Sequence, residues 1–298
     1  MKPFLGLLSA ALLILLCLLP ATPSLSSPTA ILLTDEVQLK VADSFMDEGE
    51  FYRAITEYKK FLILFPESDK ADGALFKIGK AYHSGEEYEA AARSFATLIE
   101  KHPLSEHAAQ SRYLEGLCHW KLKKYEHALV AFDSVATNYP GSDEAPLSLT
   151  AASLVALDKG NITQSANKLE KLMKDYPGHR GAAKAREAIR LLDQYRDLPE
   201  KSQVLAGLMS AVLPGSGYMY AGHFKDGITA FLITGLSVAG TVTSIGQENY
   251  AVGAIAGGIG LPFYFGNIYG SANAAKKWNT SVRNELRSRI YSLLDFSL

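Results

Sequence analysis

The sequence predicts an all-α protein, in which a solenoid of about four helix pairs is followed by a C-terminal transmembrane helical domain. Three observations support this prediction. A proline recurs every 37 residues through the middle of the chain, an apolar run opens the chain, and residues 203–275 carry only three charged side chains. Repeats at this period are typical of stacked helix pairs, and long uncharged stretches are typical of membrane segments. A β-sheet within the repeat region would contradict the prediction.

The N-terminus has the layout of a secretory signal. Lys2 supplies a positive charge, Phe4 to Leu19 is mostly apolar, and Pro20 ends the run before small and polar residues. These are the three parts of an export signal. We therefore expect residues 1–26 to be a signal peptide, with an uncleaved signal anchor as the alternative, and the residues that follow to be exported.

The middle of the chain is an internal repeat. Its prolines lie 37 residues apart, at Pro66, Pro103, Pro140 and Pro177. A small residue lies 24 positions before each proline, at Ala42, Gly79, Gly116 and Ser153. A large residue lies eight positions before each proline, at Tyr58, Phe95, Phe132 and Leu169. A small residue lets two antiparallel helices approach, a large one fills the adjacent gap, and proline ends the second helix.

Glycines and the end of the repeat region complete this pattern. Gly49, Gly85 and Gly160 are expected near the turns within helix pairs, since helix C-termini favour glycine. Gly181 to Tyr195 is expected to form an amphipathic helix that covers the last repeat. Asp197 to Ser202 is interpreted as a linker.

These residues resemble the tetratricopeptide repeat family, whose usual repeat is ~34 residues long. Three extra residues follow each proline here, and this longer form is similar to the repeats of bacterial outer-membrane assembly lipoproteins and of periplasmic coordinators of cell division. The resemblance covers roughly Asp35 to Tyr195, and we assign residues 35–196 to one repeat domain. It implies a protein that binds other proteins in a concave groove lined by the first helix of each pair.

Carried onto this sequence, the resemblance places a groove on the first helices that precede Pro103 and Pro140. Aromatic and basic residues together would suit an extended partner segment with apolar and acidic character. Trp120, Lys121 and Lys80 are expected to be exposed, whereas packing between neighbouring helices explains the other apolar candidates equally well. The candidate groove residues are Phe76, Lys80, His83, Tyr113, Leu117, Trp120 and Lys121.

A membrane domain is predicted at residues 203–275. Its three apolar segments are Leu205 to Ala221, Ile228 to Ile245 and Tyr250 to Tyr269. The last two segments approach the ~20 residues that a spanning helix needs. Pro214 and its neighbours interrupt the first segment, so it either spans the membrane or forms a re-entrant or kinked element.

The tail at residues 276–298 is basic and is expected to face the cytoplasm. Its basic residues include Lys276, Lys277, Arg283, Arg287 and Arg289. Exported repeats and a cytoplasmic tail need an odd number of crossings, so three crossings are favoured over two.

The string LPGSGYMYAG at Leu213 to Gly222 is similar to the proline-glycine-x-glycine and tyrosine motif of small bacterial membrane domains, among them the two-transmembrane-helix domain family. Asn267 to Gly270 and Ala274 to Asn279 add to the likeness. It implies residence in a membrane and no chemistry. Glycines four apart, as at Gly253 and Gly257, are expected to pack the helices internally rather than to drive oligomerisation.

Composition and motifs exclude several classes of protein. A net charge of −1 gives no basic field that would attract nucleic acid. The two cysteines cannot form a structural zinc site, and Leu16 before Cys17 does not suit lipid modification. The histidines are scattered, and no nucleophile or phosphate-binding motif is complete. We expect no enzymatic activity, no cofactor and no metal.

The predicted function is that of a membrane-anchored envelope scaffold. Its repeats would bind a protein partner in the periplasm, and residues 203–275 would hold it in the inner membrane, in envelope assembly or maintenance. The alternative is a docking subunit of a membrane transport or insertion complex, with the C-terminal domain as the working part. Few ionisable groups lie in the apolar segments, which argues against an ion-coupled transporter.

Overall fold

The computed structural model describes residues 33–296. Within that range the regular elements are thirteen α-helices and no strand, which confirms the all-α prediction. The predicted signal segment at residues 1–26, with Cys17, lies outside the described residues.

Nine helices form the repeat domain, as four antiparallel pairs and a covering helix. They are α1 Asp35–Asp47, α2 Phe51–Leu64, α3 Ala71–Ser84, α4 Tyr88–Lys101, α5 Ala108–Lys121, α6 Tyr125–Asn138, α7 Glu144–Asp158, α8 Ile162–Asp175 and α9 Arg180–Arg196. Each helix packs against the next in the chain, so the pairs stack in sequence order. Helix α9 buries Ala185, Ala188 and Leu192 against the last pair and covers it, as the sequence predicts.

The prolines end the second helix of each pair in one repeated conformation. The residue before each proline has φ between −132° and −129° and ψ between 52° and 64°, at Phe65, His102, Tyr139 and Tyr176. A proline ring disfavours the α conformation in the residue before it, so the helix cannot continue. This geometry sets the 37-residue period in the backbone.

The small and large residues of the repeat meet inside each pair. A Cβ placed on Gly116 would lie 2.6 Å from the ring of Phe132, and one on Gly79 would overlap the ring of Phe95. In the fourth pair Ser153 and Ser165 share a hydrogen bond of 2.9 Å between their hydroxyls. A buried hydroxyl pair therefore replaces the glycine contact in that repeat.

The turns within pairs also follow the period, but not always at glycine. The left-handed residue is Gly49, Glu86, Lys123 or Gly160, each 37 positions after the last, with φ between 57° and 84°. The predicted turn glycine Gly85 lies at its turn with φ −80°, and the left-handed residue is its neighbour Glu86. Repeat register, and not residue type, fixes the turn.

Four helices form the C-terminal region: α10 Gln203–Val212, α11 Ser216–Tyr220, α12 Phe224–Gly246 and α13 Tyr250–Leu293. By length and composition, α12 and α13 are the two described helices that could cross a membrane. Their large apolar side chains face outward, as at Leu236, which is 72% exposed, and Ile255, which is 65% exposed. Helix α13 runs unbroken through residue 276, where the sequence predicts a boundary between membrane domain and tail.

Glycines of the LPGSGYMYAG string join these helices backbone to backbone. A Cβ on Gly215, which has φ +85°, would overlap the carbonyl oxygen of Gly227. The Gly217 amide donates to the Ser210 hydroxyl at 3.0 Å, and the Gly215 amide donates to Asn267 Oδ1 at 3.3 Å. The motif is therefore the packing centre of the region.

The first apolar segment is short and turns back on itself. Helix α10 has ten residues, about 15 Å of length, against the ~30 Å of a hydrocarbon core. The Ser202 amide, before α10, donates to the Tyr220 hydroxyl, at the end of α11, at 3.1 Å. The two ends of the segment therefore meet on one side.

The prediction of three crossings stays a prediction, but the position of the tail bears on it. The end of α13 returns to the repeat domain and packs on α9, and Arg283 pairs with Glu200 of the linker. An odd number of crossings would place the tail and the repeats on opposite sides. Part of the positive charge of the tail is matched by the linker and the repeats.

Candidate partner-binding groove

Three polar candidates remain accessible on the first-helix face. Lys80 and Lys121 are exposed, as predicted, and His83 is half-buried edge-on to Tyr88, with ring centroids 5.5 Å apart. Burial, and then the positive charge of Lys121, lowers the pKa of His83, so the ring is neutral at neutral pH. Helices α3 and α5 touch directly and bring these residues to one surface.

The three apolar candidates, Phe76, Tyr113 and Leu117, pack between neighbouring helices. Phe76 is buried and stacks on His107, with centroids 4.6 Å apart and ring planes 4° from parallel. Tyr113 lies 5.7 Å from Phe132, and burial raises the pKa of Tyr113 to about 12. Leu117 is half-buried beside the same core. These side chains shape the floor of the groove.

Trp120 was expected to be exposed, but only 3% of its surface is exposed. Its indole N–H donates to Asp158 Oδ2 at 2.9 Å, and Phe132 meets its ring edge-on at 6.5 Å. On the other side lie the rings of Tyr291, at 6.3 Å, and Phe296, at 5.2 Å. Residues of the repeats and of the C-terminal tail therefore bury Trp120 together, and the predicted exposure is wrong.

The tail is seated as a helix with one apolar face. Leu286, Ile290 and Leu294 lie four residues apart, are buried, and join the core cluster that contains Trp120 and residues of α7 and α9. Residues four apart share one face of a helix. At the end of the tail Asp295 pairs with Lys184 of α9. Leu286 to Phe296 is called the docked tail below.

A single carboxylate organises the polar side of this contact. The Asp158 side chain is 6% exposed. Its oxygens accept from Trp120 Nε1, at 2.9 Å, and from the Tyr291 hydroxyl, at 2.7 Å, and Arg287 pairs with it at 2.7 Å. Burial, together with the hydrogen bond to Asp158, raises the pKa of Tyr291. A buried charge is costly unless it is fully paired. A helix that packs beside Asp158 must therefore supply hydrogen-bond donors to its carboxylate.

The sequence analysis missed Asp158, Arg287 and Tyr291. The four-residue spacing of Leu286, Ile290 and Leu294 was the available signal, because it marks an amphipathic helix beyond the apolar segments. Among residues 33–296 no group of three or more His, Cys, Asp or Glu side chains is arranged to hold a metal.

A known protein family matches the repeat domain. A family model described as YfiO, outer membrane lipoprotein, matches residues 35–196, more than half of the chain. No curated protein matches the sequence.

Solved structures resemble the chain at low sequence identity. A tetratricopeptide repeat protein from Parabacteroides merdae is 15% identical, with 88% of this chain and 99% of that chain covered and a TM-score of 0.46. The structure of pilF from Pseudomonas aeruginosa is 14% identical, with 83% of this chain and 97% of that chain covered and a TM-score of 0.40. The structure of the MamA protein is 18% identical, with 66% of this chain and 87% of that chain covered and a TM-score of 0.42.

The matched range coincides with the nine helices of the repeat domain and with the groove they form. Proteins of this family are interaction scaffolds of the cell envelope and not enzymes. The chain belongs to the YfiO outer membrane lipoprotein family.

Proposed function

We propose that the chain is a membrane-anchored envelope scaffold, whose repeats bind a protein partner while its C-terminal hairpin holds the complex at the inner membrane during envelope assembly or maintenance. The observation that carries the proposal is that one chain joins a groove-bearing solenoid to a helical hairpin with outward apolar side chains. The linker at residues 197–202 is short, so the groove stays close to the hairpin.

The hairpin has the dimensions of a membrane anchor. Helix α12 has 23 residues, which is about 35 Å at 1.5 Å per residue and exceeds the ~30 Å hydrocarbon core. Exposed apolar surface of this extent requires a cover, and lipid matches its lack of polar groups. Glu248 lies at the tip between α12 and α13, whereas Lys225 and Lys276 lie at the other end, toward the repeats.

Two crossings place the repeats and the tail in one compartment, which we assign to the periplasm on the signal layout of residues 1–26 and the family's envelope residence. Two basic tail residues, Arg283 and Arg287, are matched there by Glu200 and Asp158. Reporter fusions after Arg196 and after Leu298 should both give a periplasmic signal. A cytoplasmic signal from either one would overturn the assignment.

Partner binding is assigned to the accessible side of the groove, around Lys80, His83 and Lys121. Affinity capture from a detergent extract tests this with the full chain and with a double charge reversal, Lys80→Glu with Lys121→Glu. The matched control is Lys171→Glu with Lys174→Glu, on exposed residues of the second helix α8. The amount of captured protein should change with the groove variant alone. Equal capture by both variants would contradict the assignment.

A second candidate function makes the hairpin the working part of a transport or insertion complex. A cavity of about 450 Å³ lies between α11, α12 and α13, lined by Tyr218, Asp226, Thr234 and Asn267 among others. The Thr234 hydroxyl and the Asn267 amide nitrogen are buried and have no hydrogen-bond partner among the described residues. Thr234→Val would abolish the activity of such a complex and leave partner capture intact, whereas the scaffold function predicts that neither changes.

A further inference from the structure

The repeat stack has a cover other than the docked tail. Helix α9 already covers the last pair, and it does so with Ala185, Ala188 and Leu192. The tail adds instead to the first-helix face, where it reaches Trp120 on α5 and Asp158 at the end of α7. This is the face on which the repeat architecture leaves room for a ligand.

The contact has the composition of a helix-in-groove complex. An apolar ridge with a four-residue spacing packs on the repeats, the rings of Trp120 and Phe296 meet at its end, and a charged pair lies beside it. A helix that places apolar residues four apart into a groove, together with an aromatic contact, is typical of helix-in-groove complexes. The groove at this end therefore fits a helix that carries donors for Asp158, and not the extended acidic segment that the sequence analysis expected.

We propose that the groove at Trp120 and Asp158 binds a basic amphipathic helix, and that the chain's own docked tail is its resting occupant, which a partner helix of the same chemistry displaces. The required chemistry is apolar residues four apart, with an arginine and a phenol facing Asp158. The inference rests on the proposed function, since it names the class of partner and the contact that regulates access.

Tethering makes the tail a strong competitor. A segment tethered beside its site rebinds within the same molecule, so a separate helix competes with a high effective concentration of the tail. A partner must therefore bind more tightly than the tail, or act after the tail is released.

The test uses the full-length protein in detergent and a fluorescent peptide of residues 280–298 as the probe. Arg287→Glu places a negative charge against Asp158 and should release the tethered tail. Arg289→Glu is the matched control, because it makes the same charge change at an exposed residue two positions away. The peptide should bind the Arg287→Glu protein at least tenfold more tightly than the wild type or the control.

Three further variants test the same conclusion. Arg287→Gln removes the charge without repulsion and should give a smaller increase in the same direction. Asp158→Asn, added to Arg287→Glu, should lower peptide binding at least fivefold, whereas Asp175→Asn, at an exposed residue of α8, should not.

Equal peptide binding by the Arg287 and Arg289 variants would overturn the proposal, and so would binding that ignores Asp158. The assay needs no cellular partner, so its failure is distinct from failure of the affinity capture.

Discussion

The repeat domain and the C-terminal hairpin both depend on glycine, but they use it against different neighbours. In the repeats, Gly79 and Gly116 make room for the rings of Phe95 and Phe132. In the hairpin, Gly215 and Gly217 make room for backbone carbonyl groups. A ring can shift by a small rotation, whereas a carbonyl within a helix cannot, so the hairpin should tolerate substitution less well.

The two regions also differ in where they place apolar side chains. Phe95 and Phe132 are fully buried in the repeats, whereas most large apolar side chains of α12 point outward. The repeats thus hold themselves together by apolar burial, and the hairpin by close backbone approach, with its large apolar side chains exposed. The docked tail is the place where the two regions meet.

The largest effect is expected at Gly215 in the hairpin. Gly215→Ala adds a Cβ in a left-handed residue and directs it at the Gly227 carbonyl oxygen. Strain and overlap together should cost about 4 kcal/mol, measured by thermal unfolding in detergent. Gly235→Ala, on the same hairpin with no atom near its Cβ, is the control and should be nearly neutral. Equal effects would show that the motif is not the packing centre.

Trp120→Ala should destabilise the full-length protein by about 3 kcal/mol, because it leaves a cavity between the repeats and the docked tail. In a double-mutant cycle, Trp120→Ala and Phe296→Ala should show a coupling energy of about 1 kcal/mol. Additive effects would mean that the tail does not rest on Trp120.

Gly116→Ala tests the helix contact inside a repeat. The new methyl would lie 2.6 Å from the Phe132 ring, and the ring must move to admit it. The expected loss is about 1–3 kcal/mol in thermal unfolding. Gly141→Ala, which has open space around its Cβ, should change stability little. A neutral Gly116 variant would contradict the role of the small residue in the repeat.

The smallest effect concerns the turn within the third pair. Lys123 has φ 57°, a conformation that costs less for glycine than for a residue with a side chain. Lys123→Gly should therefore stabilise the protein by about 0.5–1 kcal/mol in thermal unfolding. The opposite change at the equivalent position, Gly160→Lys, should destabilise by a similar amount. The same sign at both positions would reject the register argument.

The sequence was sufficient for the repeats because their determinants recur. Four prolines and their small and large partners repeat at one spacing, so each unit supports the interpretation of the others. Gly85 lies at its turn as predicted, whereas the left-handed residue is Glu86, because the period selects position 86.

The docked tail was beyond sequence reasoning for a physical reason. Tyr291 and Asp158 are 133 residues apart, and no local pattern links them. The basic residues around Arg287 predicted a cytoplasmic tail, whereas Arg287 forms an ion pair with the buried carboxylate of Asp158 in the repeats. Trp120 was assigned to the groove but with the wrong exposure, because its cover comes from that distant segment.

The most direct test of the account is whether the docked tail contacts the repeats in the membrane-bound protein. Lys184 and Asp295 form an ion pair across this contact, and a carbodiimide joins such pairs through an amide bond without a spacer. Mass spectrometry of digested protein, cross-linked in native membranes, should detect a Lys184–Asp295 peptide pair. The pair Lys77–Asp43 within the repeats, at 2.7 Å, is the internal control. Detection of the control pair without the Lys184–Asp295 pair would contradict both the occupied groove and the shared side of tail and repeats.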